Sequence, residues 1–310
     1  MGKVLVVGGN GLIGGAAALH LAGLGHAVAI AGRNPPASGP LAALPFIRGS
    51  FADESIGPDT LAGFNSLVFA AGNDVRQLPP GADQREYFRR VNSEGIPAFF
   101  DRARRAGVSR AVYVGSYYPD VLPAAEVEAN GYLISRREAD EGLRALAGPG
   151  FMCCTLQSPF TVGQVRGVGA RQLEMITAYC LRLIEPEGPR FAPPGGSNFM
   201  STRSFAEGIA AALERGEAGR SYLMGDENWS YADYFNHFLE GLGLAERAVP
   251  LDVPNPAMVD ASLYGGRGRV IAYDPAPAAE ALGYRRHDAG RAVREMAPYY
   301  AARLRAAAAG

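Results

Sequence analysis

Gly8-Gly9-Asn10-Gly11-Leu12-Ile13-Gly14 is the stretch that decides the fold. Before it runs Lys3-Val4-Leu5-Val6-Val7, continuous and branched, which reads as a buried strand. After it, Leu12–Leu24 reads as a helix. Strand, glycine turn and helix in that order give each glycine a task. Gly8 permits the tight turn, Gly11 lets backbone approach a pyrophosphate, and Gly14 lets helix and strand pack closely. Free backbone N–H groups and the positive helix end then attract phosphate. The expected occupant is a nicotinamide dinucleotide held by Gly8, Asn10, Gly11, Leu12, Ile13 and Gly14.

The alternation continues outward. Ala27–Ala31, Phe46–Ile47, Ser66–Ala71, Arg110–Val114 and Met152–Gln157 read as strands. Gln84–Ala106 reads as one long amphipathic helix stopped by Gly107, and Tyr132–Leu146 as another. Strands alternating with helices predict an α/β fold, a doubly wound parallel Rossmann sheet. Beyond Pro159 the pattern breaks into proline- and glycine-rich loops with helices at Ser204–Arg215, Tyr231–Leu242 and Ala289–Arg305. The expected division is a dinucleotide-binding domain over 1–158 and a smaller α/β substrate lobe over 159–310, with some segments able to return to the first domain.

Composition excludes several classes. The net charge of -1 gives no pull toward nucleic acid or an anionic membrane. No apolar run reaches the ~20 residues of a membrane span, and no charged-then-apolar leader precedes the first strand. The cysteines Cys153, Cys154 and Cys180 cannot form a disulfide framework, so a reducing cytoplasm is expected. The histidines His20, His26, His237 and His287 lack metal-ligand spacing, so no metal is expected. Lys3 is the only lysine; arginine supplies every other strong base.

The second strand's end selects the dinucleotide. Ala31-Gly32-Arg33-Asn34 has no acid for ribose hydroxyls, whereas Arg33 can fork onto a 2′-phosphate. NADP is therefore favoured over NAD. Gly49-Ser50-Phe51-Ala52-Asp53 is expected to bring Asp53 near the adenine. Ala70-Ala71-Gly72 is expected to set small residues beside ribose and phosphate.

The order of these motifs, with Asn92 on a helix, Ala111-Val112-Tyr113-Val114-Gly115-Ser116 and then Tyr132-x-x-x-Arg136, resembles the extended short-chain dehydrogenase/reductases. That superfamily includes the sugar-nucleotide epimerases and dehydratases. The likeness spans the chain: Leu156-Gln157-Ser158-Pro159, Phe199–Leu213, Tyr222-Leu223-Met224-Gly225, Trp229–Leu239 and Ala281-Leu282-Gly283-Tyr284 all fit it. The resemblance implies that Tyr132 exchanges a proton with the substrate oxygen. It implies a ribose-binding, tyrosinate-stabilising cation at Arg136, where the family has lysine. The hydroxyl partner falls on Ser116 or Tyr117, and Asn92 and Pro159 belong to the cofactor site. It also suggests a homodimer through Gln84–Ala106 and Tyr132–Leu146.

Arg136 departs from the pattern, because a guanidinium is bulkier than an ammonium and cannot relay a proton. The Tyr117–Tyr132 segment is also shorter than in typical sugar-nucleotide enzymes. For a substrate diphosphate, Arg166, Arg171, Arg190 and Arg203 are the available cations, among the largely core aromatics and Met200 of this region. Ser204 stands where relatives carry an Asp. The leading expectation is an NADP-dependent oxidoreductase acting on a small-molecule carbonyl or alcohol. The alternatives are a nucleotide-sugar epimerase or dehydratase with bound NAD, and a non-catalytic, redox-sensing dinucleotide binder.

Overall fold

The computed structural model describes residues 2–53, 55–74 and 77–309. Met1, at the head of the expected leaderless start, lies outside them. The strands are β1 (Lys3–Val7), β2 (Ala27–Gly32), β3 (Phe46–Arg48), β4 (Ser66–Phe69), β5 (Arg110–Ser116), β6 (Met152–Ser158), β7 (Phe160–Val162), β8 (Phe191–Ala192), β9 (Gly196–Ser201), β10 (Ser221–Leu223), β11 (Glu227–Ser230) and β12 (Val249–Pro250).

Seven of them form one sheet in the order β10-β6-β5-β4-β1-β2-β3. Every pairing in it is parallel. Both faces are covered, so beyond exposed Lys3 β1 is wholly apolar: Val4 and Val6 enter one core, Leu5 and Val7 the other. Helices Leu12–Gly23 and Thr202–Arg215 cover the first face; Gly95–Arg105 and Gly131–Arg144 cover the second. Strand order reverses at β1, which has β2 on one side and β4 on the other. A crevice opens at the carboxyl ends of strands at such a point.

The second half makes a smaller layer. A three-stranded sheet, β11-β9-β7, and the pair β12-β8 pack with helices Arg171–Cys180, Tyr231–Gly241 and Ala289–Ala309. Yet β10 and helix Thr202–Arg215 join the large sheet, so the chain crosses back after Pro159.

Two features differ from the sequence expectation. The expected long helix over Gln84–Ala106 is broken into Gln84–Phe88, a π-helical segment Arg89–Glu94 and Gly95–Arg105. Pro97 has no N–H to return to the Ser93 carbonyl, so the ladder changes register there. The acid missing at Ser204 comes from elsewhere. Ser201 caps helix Thr202–Arg215 and donates to Asp288 Oδ2 at 2.6 Å, and Arg203 and Arg291 bond the same carboxylate.

Burial works to raise the Asp288 carboxyl, but bonds from Ser201, Arg203 and Arg291 outweigh it and hold it below its usual value. A carboxyl depressed by folding adds stability above its unfolded value, about 3.9. That contribution disappears as pH falls through the lower folded value. Asp288→Asn should therefore lower Tm at neutral pH and flatten the further fall below about pH 4. Melting curves from pH 6 to 3 check this; an equally steep acid limb in the variant would refute it.

Candidate active site

The glycine loop builds one end of the cleft. Gly8 turns with φ +81°, and a Cβ on Gly14 would collide with the Gly8 carbonyl oxygen. Gly11 is the N-cap of helix Leu12–Gly23, which has neither a side-chain cap bond nor an acid in its first turn. Its first N–H groups are thus left for a ligand. Asn10 Nδ2 donates to the Asn34 carbonyl at 2.8 Å and holds the loop to the end of β2.

A single cleft of about 730 Å³ runs from this loop along the strand ends. Gly8, Asn10, Gly11, Leu12, Ile13, Gly14, Arg33, Ala70, Ala71, Gly72, Ser116, Tyr117, Tyr132, Arg136 and Pro159, all anticipated from sequence, line it. Two anticipated residues do not. Asp53 is turned to Ser55, whose hydroxyl and N–H it accepts, and Gly49, Ser50 and Phe51 line the wall instead. The bonds from Ser55 hold the Asp53 carboxyl below its usual value. Asn92 is fully buried in the π segment. Its amide donates to the Asn73 carbonyl (2.9 Å) and to Ser135 Oγ (3.2 Å), and its oxygen accepts from Asn73 N–H. It shapes the cleft wall from behind, through Asn73.

Tyr132 sits at the start of helix Gly131–Arg144 because Asn130 caps that helix, accepting from Tyr132 N–H (3.0 Å) and Leu133 N–H. One turn on, Arg136 NH1 donates to the Tyr132 hydroxyl at 3.1 Å, as the i, i+4 spacing requires. The guanidinium is buried, with Nε donating to Tyr113 Oη at 2.9 Å and NH2 to the Val114 carbonyl at 2.8 Å. Burial works against its charge, but the Tyr113 and Tyr132 oxygens outweigh that and keep it protonated. Gly72 leaves it room: a Cβ there would lie 3.1 Å from Cζ.

The two hydroxyl candidates part company. Tyr117 Oη lies 2.6 Å from Ser197 Oγ, and its ring packs on Tyr118 at 4.3 Å. Burial pushes its phenol far above the usual range. Ser116 ends β5 in register with Ser158 and lines the cleft.

The arginines anticipated for a substrate diphosphate are mostly spent. Arg190 is buried and donates to the Tyr179, Glu185 and Glu187 carbonyls. Arg203 is paired with Asp288 and Glu295. Arg166 does not line the cleft, whereas exposed Arg171 does. The rest of the wall includes Tyr118, Phe160, Tyr234, Ser158, Thr161 and Ser262, with Asp74, Gln77, Gln172 and Leu173. Tyr264 stacks on the Tyr132 ring at 5.0 Å, and Phe88 meets its edge at 5.5 Å. Sequence reading missed Tyr113, Phe51, Asn73 and Tyr264. Only Tyr113 carried a local signal, as a tyrosine set between Val112 and Val114 in a buried stretch of β5.

Among the described residues no His, Cys, Asp and Glu side chains converge as metal ligands would. None of their helices is long and apolar enough to cross a membrane.

The fold is a doubly wound Rossmann sheet with its cleft at the carboxyl ends of the strands. The model of the NAD dependent epimerase/dehydratase family matches residues 4–225, and the chain belongs to that family. No curated protein matches it by sequence. Among solved structures, gox2253 superposes with TM-score 0.76 at 22% identity, covering 97% of this chain and 98% of that one. UDP-glucose-4-epimerase from Stenotrophomonas maltophila, with bound NAD and formylated UDP-arabinopyranose, gives 0.73 at 19% over 99% and 100%. The dTDP-glucose 4,6-dehydratase DesIV from Streptomyces venezuelae, with NAD and TYD bound, gives 0.70 at 20% over 95% and 96%.

Proposed function

We propose that the chain is an NADP-dependent oxidoreductase that exchanges hydride with a small-molecule carbonyl or alcohol. The observation that carries this reading is the meeting of the Tyr132–Arg136 pair and an uncapped, glycine-walled helix start in one cleft. The loop suits a dinucleotide: its N–H groups are open and the Gly8–Gly14 contact leaves no space for side chains. When bound, the nicotinamide supplies or accepts the hydride.

This chain's residues do the rest. Tyr132 gives or takes the proton of the substrate oxygen at its Oη. Arg136 NH1 donates to that Oη and fixes its place in the cleft. Three of the five guanidinium N–H groups are engaged, leaving one each on NH1 and NH2 for ribose hydroxyls. Ser116 offers the second hydroxyl to the substrate oxygen, since that of Tyr117 is taken by Ser197.

Arg33 supports NADP. It is exposed, lines the cleft, and has no neighbouring acid in Ala31-Gly32-Arg33-Asn34-Pro35. Arg33→Ala should weaken NADP(H) binding about tenfold while leaving NAD(H) within about twofold. Thermal shift with each dinucleotide tests both parts, because a ligand raises Tm in proportion to RT ln(1 + [L]/Kd). An equal or larger shift with NAD(H) in the wild type would overturn the NADP reading. No turnover on a carbonyl panel with either dinucleotide would overturn the oxidoreductase.

Family membership favours a second reading, a nucleotide-sugar epimerase or dehydratase with retained NAD. Against it stands the structural use of Arg190 and Arg203, which leaves little charge at the substrate end. Purification with bound NAD, together with a thermal shift from nucleoside diphosphates, would favour this reading. We further propose a homodimer through helices Gly95–Arg105 and Gly131–Arg144 and the domain division at residue 158, with β10 and helix Thr202–Arg215 belonging to the first domain.

A further inference from the structure

The Arg136 guanidinium is a buried cation whose hydrogen-bond partners are all formally neutral: two phenols and a carbonyl. The carboxylate one turn further along the helix, Asp140, is held by Arg144 through a two-pronged pair of 2.9 and 2.8 Å. A buried charge with neutral partners is costly unless an anion forms beside it. The phenol that reaches the cleft is Tyr132; Tyr113 is fully buried in β5 behind it.

The three nitrogens of Arg136 are divided among three acceptors, and the division is directional. Nε and NH2 point back to Tyr113 Oη and the Val114 carbonyl, both on β5. Only NH1 points to Tyr132. A long arginine side chain fixed at one nitrogen would still swing; fixed at two on the same strand, it cannot. The guanidinium carbon lies 5.4 Å from the Tyr113 ring centre and 5.7 Å from that of Tyr132, wedged between the rings and against Gly72.

We propose that Tyr113 is a positioning residue: its hydroxyl, with the Val114 carbonyl, aims Arg136 NH1 at the Tyr132 oxygen, and a titration of Tyr132 is the readout of that aim. This rests on Tyr132 as the acid/base. The other titratable groups around Tyr132 are Tyr118, from the short helix Tyr118–Val121, and Tyr264, stacked on its ring. Asp140 follows on its own helix, and Phe88 is an apolar neighbour from helix Gln84–Phe88. Neither Tyr118 nor Tyr264 brings a positive charge, so Arg136 is the cation that this arrangement turns on Tyr132.

The test is Tyr113→Phe, which keeps the ring and removes only the hydroxyl. Ligand-free protein carrying 13Cζ-tyrosine is titrated by NMR, the Tyr132 signal being identified by its loss in Tyr132→Phe. In Tyr113→Phe the Tyr132 midpoint should rise by about one pH unit. In an Arg136→Met background, removing the Tyr113 hydroxyl should add no further shift. A role in strand stability alone would lower Tm and leave the midpoint unmoved. A midpoint within about 0.2 units of wild type overturns the inference. If Tyr113→Phe does not fold, Arg136→Lys serves: one ammonium cannot span three acceptors, and an unmoved midpoint there overturns it equally. The readout needs no substrate. Full turnover in Tyr132→Phe would therefore sink the assigned reaction, and a flat Tyr113→Phe titration would sink only this inference.

Discussion

Tyr132→Phe should lower turnover roughly 10²–10⁴-fold while leaving dinucleotide affinity within about twofold of wild type. The hydroxyl is the only atom lost, and it faces the cleft with Arg136 NH1 as its bonding partner. The ring remains, stacked on Tyr264 and edged by Phe88, so the pocket keeps its shape. The proposed dinucleotide site is the Gly8–Gly14 loop at the other end of the cleft, which the substitution does not touch. Steady-state kinetics on any carbonyl that the wild type reduces, with dinucleotide titration alongside, decide the matter. A variant within tenfold of wild type would remove Tyr132 from the proton's path.

Gly14→Ala should weaken dinucleotide binding by about 10²-fold or more. The added Cβ would meet the Gly8 carbonyl oxygen head on and approach Gly9 Cα at 3.1 Å. The loop would have to open, carrying with it the N–H groups proposed to hold the phosphates. Losing two charge-assisted hydrogen bonds of about 1.5–3 kcal/mol each is worth about 10²–10⁴ in affinity. Helix propensity works the other way, favouring Ala over Gly by about 1 kcal/mol in a helix interior. A variant that melts normally and binds poorly is therefore the expected outcome. Calorimetric titration with NADP(H) measures it, and affinity within threefold of wild type would mean that the loop does not hold the pyrophosphate.

Parts of the fold were legible because their signals are short in sequence. Strand, turn and helix at Lys3–Gly23 occupy one continuous stretch, and the apolar run of β1 announces burial on both faces. The break at Gln84–Arg105 was missed although Pro97 marks it, because helical periodicity on both sides outweighed a single proline. Helix Arg171–Cys180 escaped notice for a different reason: its N-cap, Ala170, makes no side-chain bond and so gives no start signal.

The site divides the same way. Sequence alone determined the glycine loop, the acid-free end of β2 and the pairing of Tyr132 with Arg136. Each depends on residues within a turn or two, whose spacing fixes which side chains share a face. Tertiary structure decided the remainder. It gave Tyr117 to Ser197, 80 residues away, and left Ser116 in the cleft wall. It locked Arg190 onto loop carbonyls and Arg203 onto Asp288, emptying the substrate end of two cations. It turned Asp53 to Ser55 and joined Arg136 to Tyr113. A buried polar group must find a partner wherever the fold provides one. Spacing in the chain cannot name that partner when it comes from another strand or helix.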